Sequence, residues 1–192
     1  MRSLVIFASG KGSNAAAIID YFKKTGLARV ALIVSNKKDA GILDIAKNEN
    51  IPAIVIDRQS FQDLSLVSQI QSHNPSLIVL AGFLWKIPEG FISAFQGRII
   101  NIHPALLPKY GGKGMYGHHV HQAVIAAGEK VSGITIHYVD EAYDSGDTIV
   151  QASCTVSADD DADSLAARIH KLEHFYFPRT IEFLLTNQNT TT

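Results

Sequence analysis

Five short apolar runs rich in β-branched residues occur in the first 104 residues, and helical patterns separate the first four. The runs are SLVIFASG, RVALIVSN, PAIVID, SLIVLAGF and RIINIHP; the helical stretches are NAAAIIDYFKKTG, AGILDIAKNENI and DLSLVSQIQSHNP. Such alternation predicts parallel strands joined by crossover helices. SLIVLAGF is apolar almost throughout, as in a strand covered on both faces. The predicted fold class is α/β, with a doubly wound, mostly parallel open sheet and helices on both faces.

The pattern changes after residue 104. HHVHQAVIAAGEK predicts a helix, and GITIHYVDEAYDSGDTIVQASCTV predicts two strands around a polar loop, which form an antiparallel C-terminal extension of the sheet. DADSLAARIHKLEHFYFPRTIEFLL predicts a C-terminal helix with a kink or break at Pro178, because proline lacks the amide hydrogen needed inside a helix. The chain shows no internal repeat or linker, so we expect a single domain over residues 1–192.

Charge and composition argue against several classes of protein. A net charge of -1 with 18% charged residues predicts no nucleic-acid partner. No apolar run approaches the ~20 residues that span a bilayer, and the start of the chain does not resemble a signal peptide. We therefore expect a cytoplasmic protein without a membrane partner. The single cysteine, Cys154, cannot form an internal disulfide, and its place in a predicted strand indicates packing rather than nucleophilic chemistry.

The stretch ASGKGSN joins the first predicted strand to the first predicted helix. Glycine lets a backbone approach an anion closely, and the free N–H groups at a helix start favour phosphate. Gly12, Ser13 and Asn14 are therefore candidate phosphate-binding residues. The stretch matches neither GxGxxG nor a Walker P-loop, so a tight turn with Ser13 or Asn14 as a helix cap is the alternative.

The stretch NIHPALLP places Asn101 and His103 at the end of the fifth predicted strand. Ligands in open α/β sheets gather at the carboxyl ends of strands, and residues two apart on a strand point the same way. An amide can donate to a developing oxyanion, and an imidazole can exchange a proton near neutral pH. Pro104 and Pro108 stiffen the exit. The alternative is a buried Asn101–His103 pair in which each side chain satisfies the other.

The loop HYVDEAYDSGD carries four carboxylates between two predicted strands. These are Asp140, Glu141, Asp144 and Asp147. Either the loop is a solvated turn, since Asp-Ser-Gly is common turn chemistry, or one carboxylate reaches His103 and stabilises its imidazolium form. His137, just upstream, is a possible second participant.

Three further features leave two interpretations open. His118 and His121 are three residues apart on a predicted helix, and His119 lies between them, but no carboxylate or cysteine completes a ligand set, so we expect no metal. The loop GGKGMYG, residues 111–117, is either a lid or a long connection. Trp85 follows the fourth strand and either lines an aromatic pocket or packs.

The order of SGKGSN, AGFL, NIHPALLPKY, HYVDEAYDSGDTIVQ and LEHFYFP resembles the phosphoribosylglycinamide formyltransferase family of purine synthesis. The resemblance covers essentially the whole chain, and NIHPxLLP with a later DxGxxI is its most specific part. Two features depart from the family. GGKGMYGHHVH is a longer and more glycine-rich path than many members have, and Trp85 stands where many members carry arginine.

This resemblance implies transfer of the formyl group of the co-substrate 10-formyltetrahydrofolate to the amine of glycinamide ribonucleotide, without a metal. It implies a catalytic trio of Asn101, His103 and Asp144 and a ribose-binding acid, Glu173. It implies phosphate binding by Gly12, Ser13 and Asn14. The residues that match the segments around the pterin are Leu84, Trp85, Lys86, Ile87, Val139, Asp140 and Asp144.

By the same resemblance the domain divides into a phosphate-binding half, residues 1–100, and a folate and catalytic half, residues 101–185. We expect small-molecule substrates and a monomer or homodimer. Two other functions are compatible with the sequence. One is a folate-dependent formyltransferase acting on a sugar-nucleotide amine, which needs a larger site than one phosphate turn. The other is a non-catalytic nucleotide-binding module, in which only the glycine turn matters.

Overall fold

A computed structural model describes residues 1–187, within which seven strands form one sheet. The strands are β1 (Arg2–Phe7), β2 (Ala28–Ser35), β3 (Ala53–Val55), β4 (Leu77–Leu80), β5 (Ile99–His103), β6 (Val131–Tyr138) and β7 (Thr148–Thr155). Their order is β3-β2-β1-β4-β5-β6-β7. β1 to β5 pair in parallel, whereas β6 is antiparallel to both β5 and β7. The predicted mostly parallel sheet with an antiparallel extension is confirmed.

Helices cover both faces of this sheet. They are α1 (Ser13–Thr25), α2 (Gly41–Asn48), α3 (Arg58–Gln62), α4 (Leu64–Ser72), α5 (Glu89–Ala94), α6 (His118–Ala126) and α7 (Ala162–Asn187). Successive side chains of a strand point to opposite faces, so Leu4 and Ile6 enter one apolar core while Val5 and Phe7 enter another. The first core receives side chains of α1, α2, α6 and α7, and the second receives those of α3, α4 and α5.

The elements differ from the predicted ones in four places. The short helices α3 and α5 are additional, and β3 has three residues where PAIVID predicted a longer strand. Of the kink or break predicted at Pro178, the break is wrong, because α7 continues through this residue to Asn187, and the kink stays a prediction. Pro178 is itself buried, and Phe177 and Ile181 on either side pack into the first core. This burial offsets the hydrogen bond that proline cannot make.

The sheet topology creates a crevice beside β1. The chain moves outward from β1 to β2 and β3, then returns to place β4 on the other side of β1. Ligands of open α/β sheets bind at such a switch point, outside the carboxyl ends of the strands. β1, β4 and β5 all end at this edge, and the antiparallel β6 brings its own residues against the end of β5.

Within residues 1–187, no helix combines the length and apolar character that crossing a bilayer requires. The single domain over residues 1–192, with its phosphate-binding and catalytic halves, stays a prediction. Its last five residues lie outside the described part of the chain.

Candidate active site

A cavity of about 580 Å³ opens at the carboxyl edge of β1, β4 and β5. It is lined by residues 9–10, 37, 82–84, 101–104, 112–117 and 143–144. The predicted catalytic residues Asn101, His103 and Asp144 all line it. The structure therefore brings together three side chains that the sequence places on a strand end and on a distant acidic loop.

Asn101 is held by a histidine on the neighbouring strand. β5 and β6 pair so that Asn101 lies opposite His137, and the amide nitrogen of Asn101 lies 3.1 Å from Nε2 of His137. Nδ1 of His137 donates to the Tyr138 carbonyl at 2.8 Å, which leaves Nε2 as the acceptor. Burial lowers the pKa of His137, so the ring is neutral at pH 7. The Asn101 amide nitrogen donates one N–H to His137 and retains a second.

His103 contacts the backbone of the loop that follows β5. The imidazole is 4% exposed, and its Nε2 lies 2.7 Å from the carbonyl oxygen of Tyr110. Because a carbonyl only accepts, Nε2 carries the proton of the neutral ring, and Nδ1 is the nitrogen left for chemistry. Nδ1 lies 3.5 Å from Oδ2 of Asp144. His103 does not bond Asn101, so the alternative of a mutually satisfied pair is wrong.

Asp144 is positioned by the glycine-rich loop. Its Oδ2 accepts the Gly112 N–H at 2.9 Å, and its Oδ1 lies 3.7 Å from Nε2 of His137. Asp144 has φ 53°, the left-handed region that costs a residue with a side chain about 1–2 kcal/mol. Such strain persists only where the surroundings fix it, and it concentrates at functional sites. Of the four predicted carboxylates, Asp144 is the one that faces His103.

The residues predicted to surround the pterin lie on a narrower pocket that adjoins the cavity. Leu84 lines the large cavity, and the other six line a pocket of about 70 Å³, together with Asn101 and His137. Both spaces share Phe83, Asn101, Tyr143 and Asp144. The seven predicted residues therefore line two adjoining spaces that share Asn101 and Asp144 of the catalytic trio.

Trp85 both lines this pocket and packs. Its ring lies 5.7 Å from the Phe61 ring and 6.2 Å from the Phe83 ring, and the Arg58 guanidinium stands 4.2 Å from its centroid. A cation over an indole face is attracted by the ring quadrupole. Both interpretations of Trp85 therefore apply: the side chain lines the pocket and also packs against its aromatic neighbours.

The glycine turn and Glu173 meet at the start of α1. Gly12 has φ 81°, and a Cβ there would lie 2.8 Å from Cδ1 of Ile42, so only glycine fits. The amide nitrogen of Asn14 donates to Oε2 of Glu173 at 3.0 Å, and Nδ1 of His170 donates to the same oxygen at 2.9 Å. Neither Ser13 nor Asn14 caps the helix with its side chain. Gly10, two residues before Gly12, lines the large cavity, whereas the residues of this group do not.

The histidines of α6 have separate environments. His118 is exposed and lies 3.7 Å from Asp163, whereas His121 is 2% exposed and its Nδ1 has no hydrogen-bond partner. Burial lowers the pKa of His121 to about 4. Among residues 1–187, no three or more histidine, cysteine, aspartate or glutamate side chains are grouped so as to hold a metal ion.

Three contributors to the site were missed in the sequence analysis. The Tyr110 carbonyl and the Gly112 N–H act through the backbone, where side-chain chemistry gives no indication. Ser9, 2% exposed, accepts the Leu84 N–H at 3.0 Å and ties the end of β1 to the segment after β4. The position of Ser9, directly after an apolar strand, is the signal that could have found it.

The family profile described as formyl transferase matches residues 1–181, and the chain belongs to this family. The phosphoribosylglycinamide formyltransferase of Vigna unguiculata, a chloroplastic protein, is 41% identical over 189 residues, which are 95% of this chain and 61% of the relative. The phosphoribosylglycinamide formyltransferase of Bacillus subtilis strain 168 is 36% identical over 195 residues, 98% of this chain and 97% of the relative.

A crystal structure of phosphoribosylglycinamide formyltransferase from Bacillus halodurans has the same fold. It matches with a TM-score of 0.88 at 34% identity, over 97% of both chains. The resemblance and the fold class predicted from the sequence are confirmed by these comparisons.

Proposed function

We propose that this chain transfers the formyl group of 10-formyltetrahydrofolate to the amine of glycinamide ribonucleotide in purine synthesis. The observation that carries this function is the convergence of Asn101, His103 and Asp144 on one cavity at the carboxyl edge of the sheet. Relatives that match nearly the whole chain are named phosphoribosylglycinamide formyltransferase, which supports the same activity.

The phosphorylated substrate binds at the start of α1. The N–H groups of Gly12, Ser13 and Asn14 are the unpaired donors of a helix start and hold the phosphate. Glu173, 4% exposed, accepts the ribose hydroxyls. Its bond to Asn14 supports this assignment, because it places the acid next to the phosphate turn, as a ribose 5-phosphate requires.

The folate co-substrate occupies the narrower pocket. The pterin lies among residues 84–87 and 139–144, beside Asn101 and His137, which line the narrower pocket together with most of these residues. The formyl group then lies between this pocket and the large cavity, where the substrate amine approaches. Holding both reactants in one orientation converts a two-body reaction into an effectively unimolecular one.

The substrate amine attacks the formyl carbon, a C–N bond forms, and the carbonyl oxygen becomes an oxyanion. The second N–H of Asn101 and the protonated Nδ1 of His103 donate to this oxygen. Asp144, 3.5 Å from that nitrogen, stabilises the imidazolium. Removing one such preorganised donor typically costs ~10²–10³ in rate.

Collapse of the tetrahedral adduct breaks its bond to N10 of the folate. The proton lost by the attacking amine replaces the formyl group on N10, through water. The products are the formamide of the substrate amine and tetrahydrofolate, so atoms and charge balance without a covalent enzyme intermediate.

The activity is tested by mixing the purified chain with both substrates and following the folate absorbance. We expect turnover on the order of 1–10³ s⁻¹ with glycinamide ribonucleotide. No turnover is expected without an acceptor or with a sugar-nucleotide amine in its place. Failure of the first reaction would overturn the proposed function, and turnover only with the sugar-nucleotide amine would favour the alternative formyltransferase. Binding without any transfer would favour a nucleotide-binding module.

A cytoplasmic location and a monomeric or homodimeric state stay predictions. Analytical ultracentrifugation distinguishes a 20.9 kDa species from one of twice that mass. Fractionation of the source cells tests the location.

A further inference from the structure

Tyr110 has a backbone conformation that a bulky residue rarely adopts. Its φ is 56°, in the left-handed region, and Asp144 at φ 53° is another of the non-glycine residues with positive φ among the described residues. Both contact His103. Strain of this kind persists only when neighbouring contacts fix it. The contacts of Tyr110 therefore indicate what holds this part of the site in place.

Residues 110–112 contact both members of the His103–Asp144 pair. The Tyr110 carbonyl lies 2.7 Å from Nε2 of His103, and the Gly112 N–H lies 2.9 Å from Oδ2 of Asp144. Between them, a Cβ on Gly111 would lie 2.5 Å from Cδ2 of Leu107 and 3.4 Å from Cβ of Asp144. The segment thus fits closely against the pair, and a small shift of its backbone moves both hydrogen-bonding groups.

The other end of Tyr110 is anchored outside the cavity. The phenol donates to Oε1 of Glu129 at 3.0 Å, and Lys109 donates to the same oxygen at 2.9 Å. Tyr110, Glu129 and Lys109 line a separate surface pocket of about 230 Å³ that shares no residue with the main cavity. Neither the phenol nor Glu129 lines the main cavity, and the contact that links them to His103 is the backbone carbonyl of residue 110.

We propose that Tyr110 and Glu129 are positioning residues for His103. The hydrogen bond between phenol and carboxylate holds residue 110 in its strained conformation, and so keeps its carbonyl on Nε2 and the Gly112 N–H on Asp144. Without this anchor residue 110 relaxes toward an ordinary φ, and the carbonyl leaves the imidazole. This inference rests on the proposed function, because it concerns the geometry of that reaction.

The protonation states suit this arrangement. Partial burial, and then the bond to Glu129, raise the pKa of the Tyr110 phenol, so it is a donor at neutral pH. The bonds to Lys109 and Tyr110 lower the pKa of Glu129, so it accepts as a carboxylate. The titratable groups around His103 itself are Asp144, His137 and His121.

The test compares Tyr110→Phe with wild type in formyl transfer. Removing the hydroxyl keeps the ring and its packing but not the anchor. We expect kcat to fall about tenfold to hundredfold, the loss typical of a misplaced catalytic group, with KM unchanged for both substrates. Glu129→Ala should reproduce this loss. Glu129→Gln should restore most of kcat, because its amide oxygen still accepts from the phenol.

Lys109→Met is the matched control, since it removes the other partner of Glu129 and leaves the phenol bond intact. It should keep wild-type kcat. A structural defect would instead lower the folded fraction, which urea unfolding of each variant measures.

Unchanged kcat in Tyr110→Phe, or a loss equal to the unfolded fraction, would overturn the inference alone. An equal loss in Lys109→Met would overturn it as well, by attributing the effect to surface charge. Absence of transfer by the wild-type chain would instead overturn the proposed function, and this inference with it.

Discussion

Asn101 and His137 face each other across β5 and β6, and the Asn101 amide nitrogen donates to Nε2 of His137 at 3.1 Å. His137 accepts because its Nδ1 proton is committed to the Tyr138 carbonyl and burial lowers its pKa. The Asn101 side chain is therefore held with its amide nitrogen toward His137 before substrate binds. A donor oriented in advance stabilises a developing oxyanion without reorganising during the reaction. His137 thus contributes to the proposed mechanism through Asn101.

Replacing His137 with phenylalanine should lower kcat about tenfold to hundredfold, because the Asn101 amide loses the acceptor that orients it. His137→Gln is the matched variant, since its amide oxygen can accept the same N–H, and it should retain more activity. Steady-state kinetics at saturating concentrations of both substrates measures the difference. Wild-type kcat in His137→Phe would contradict the orienting role.

Asp144→Asn removes the charge that stabilises the His103 imidazolium while keeping much of the local structure. Asparagine tolerates the left-handed conformation as aspartate does, and its oxygen can still accept the Gly112 N–H. We expect kcat to fall about hundredfold with little change in stability. Asp147→Asn makes the same charge change at an exposed position of the same loop. A similar loss of kcat in both variants would mean that the change in overall charge, and not the loss of the His103–Asp144 pair, lowers the activity.

The sheet and the catalytic trio could be predicted because their signals are local or regular. Apolar strands alternate with helices over most of the chain, which determines the order of elements and the edge at which Asn101 and His103 lie. Asp144 needed the resemblance, since the residue pattern left four carboxylates in one loop as candidates. Asp144 differs from the other three carboxylates in its positive φ and in its hydrogen bond from the Gly112 N–H, and both features arise from tertiary structure.

The elements that escaped prediction are short or act through the backbone. α3 and α5 have five and six residues, too few for a helical period to be visible. Asp57 and Ser60 form a capping box at α3, a signal that is present in the sequence but weak without a following apolar stripe. The continuity of α7 through Pro178 depends on packing against the first core, which composition does not reveal.

Replacing Gly12 with alanine tests the phosphate turn. The added Cβ would lie 2.8 Å from Cδ1 of Ile42, in a backbone at φ 81°, so the turn must shift. We expect KM for glycinamide ribonucleotide to rise about tenfold, and the free energy of unfolding to fall by about 1–3 kcal/mol. KM for the folate should not change.

Gly26→Ala is the control for backbone strain at the other end of α1. Gly26 has φ 68° with open space around it, so the variant should lose stability without any change in KM. Steady-state kinetics and urea unfolding of both variants separate the two effects. A Gly12 variant in which only the folate KM rises would reverse the placement of the two ligands.

His121 should make the fold sensitive to acid. The side chain is 2% exposed, and burial lowers its pKa from 6.5 to about 4. Below pH 6.5 the unfolded chain therefore binds a proton that the folded chain refuses until about pH 4, so stability falls as the pH decreases through this range. The difference between the two pKa values corresponds to about 3 kcal/mol, most of it lost by pH 4.5.

Urea unfolding of wild type and His121→Leu at pH 7 and pH 4.5 measures this contribution. The free energy of unfolding of the wild type should fall by about 2 kcal/mol more than that of the variant, because the other titrating groups are common to both and cancel. His119→Leu, which removes a histidine at an exposed position of the same helix, is the matched control and should keep the wild-type dependence on pH. Parallel pH dependence in the wild type and His121→Leu would mean that the buried imidazole is protonated in the folded chain, stabilised by the nearby Glu173 carboxylate.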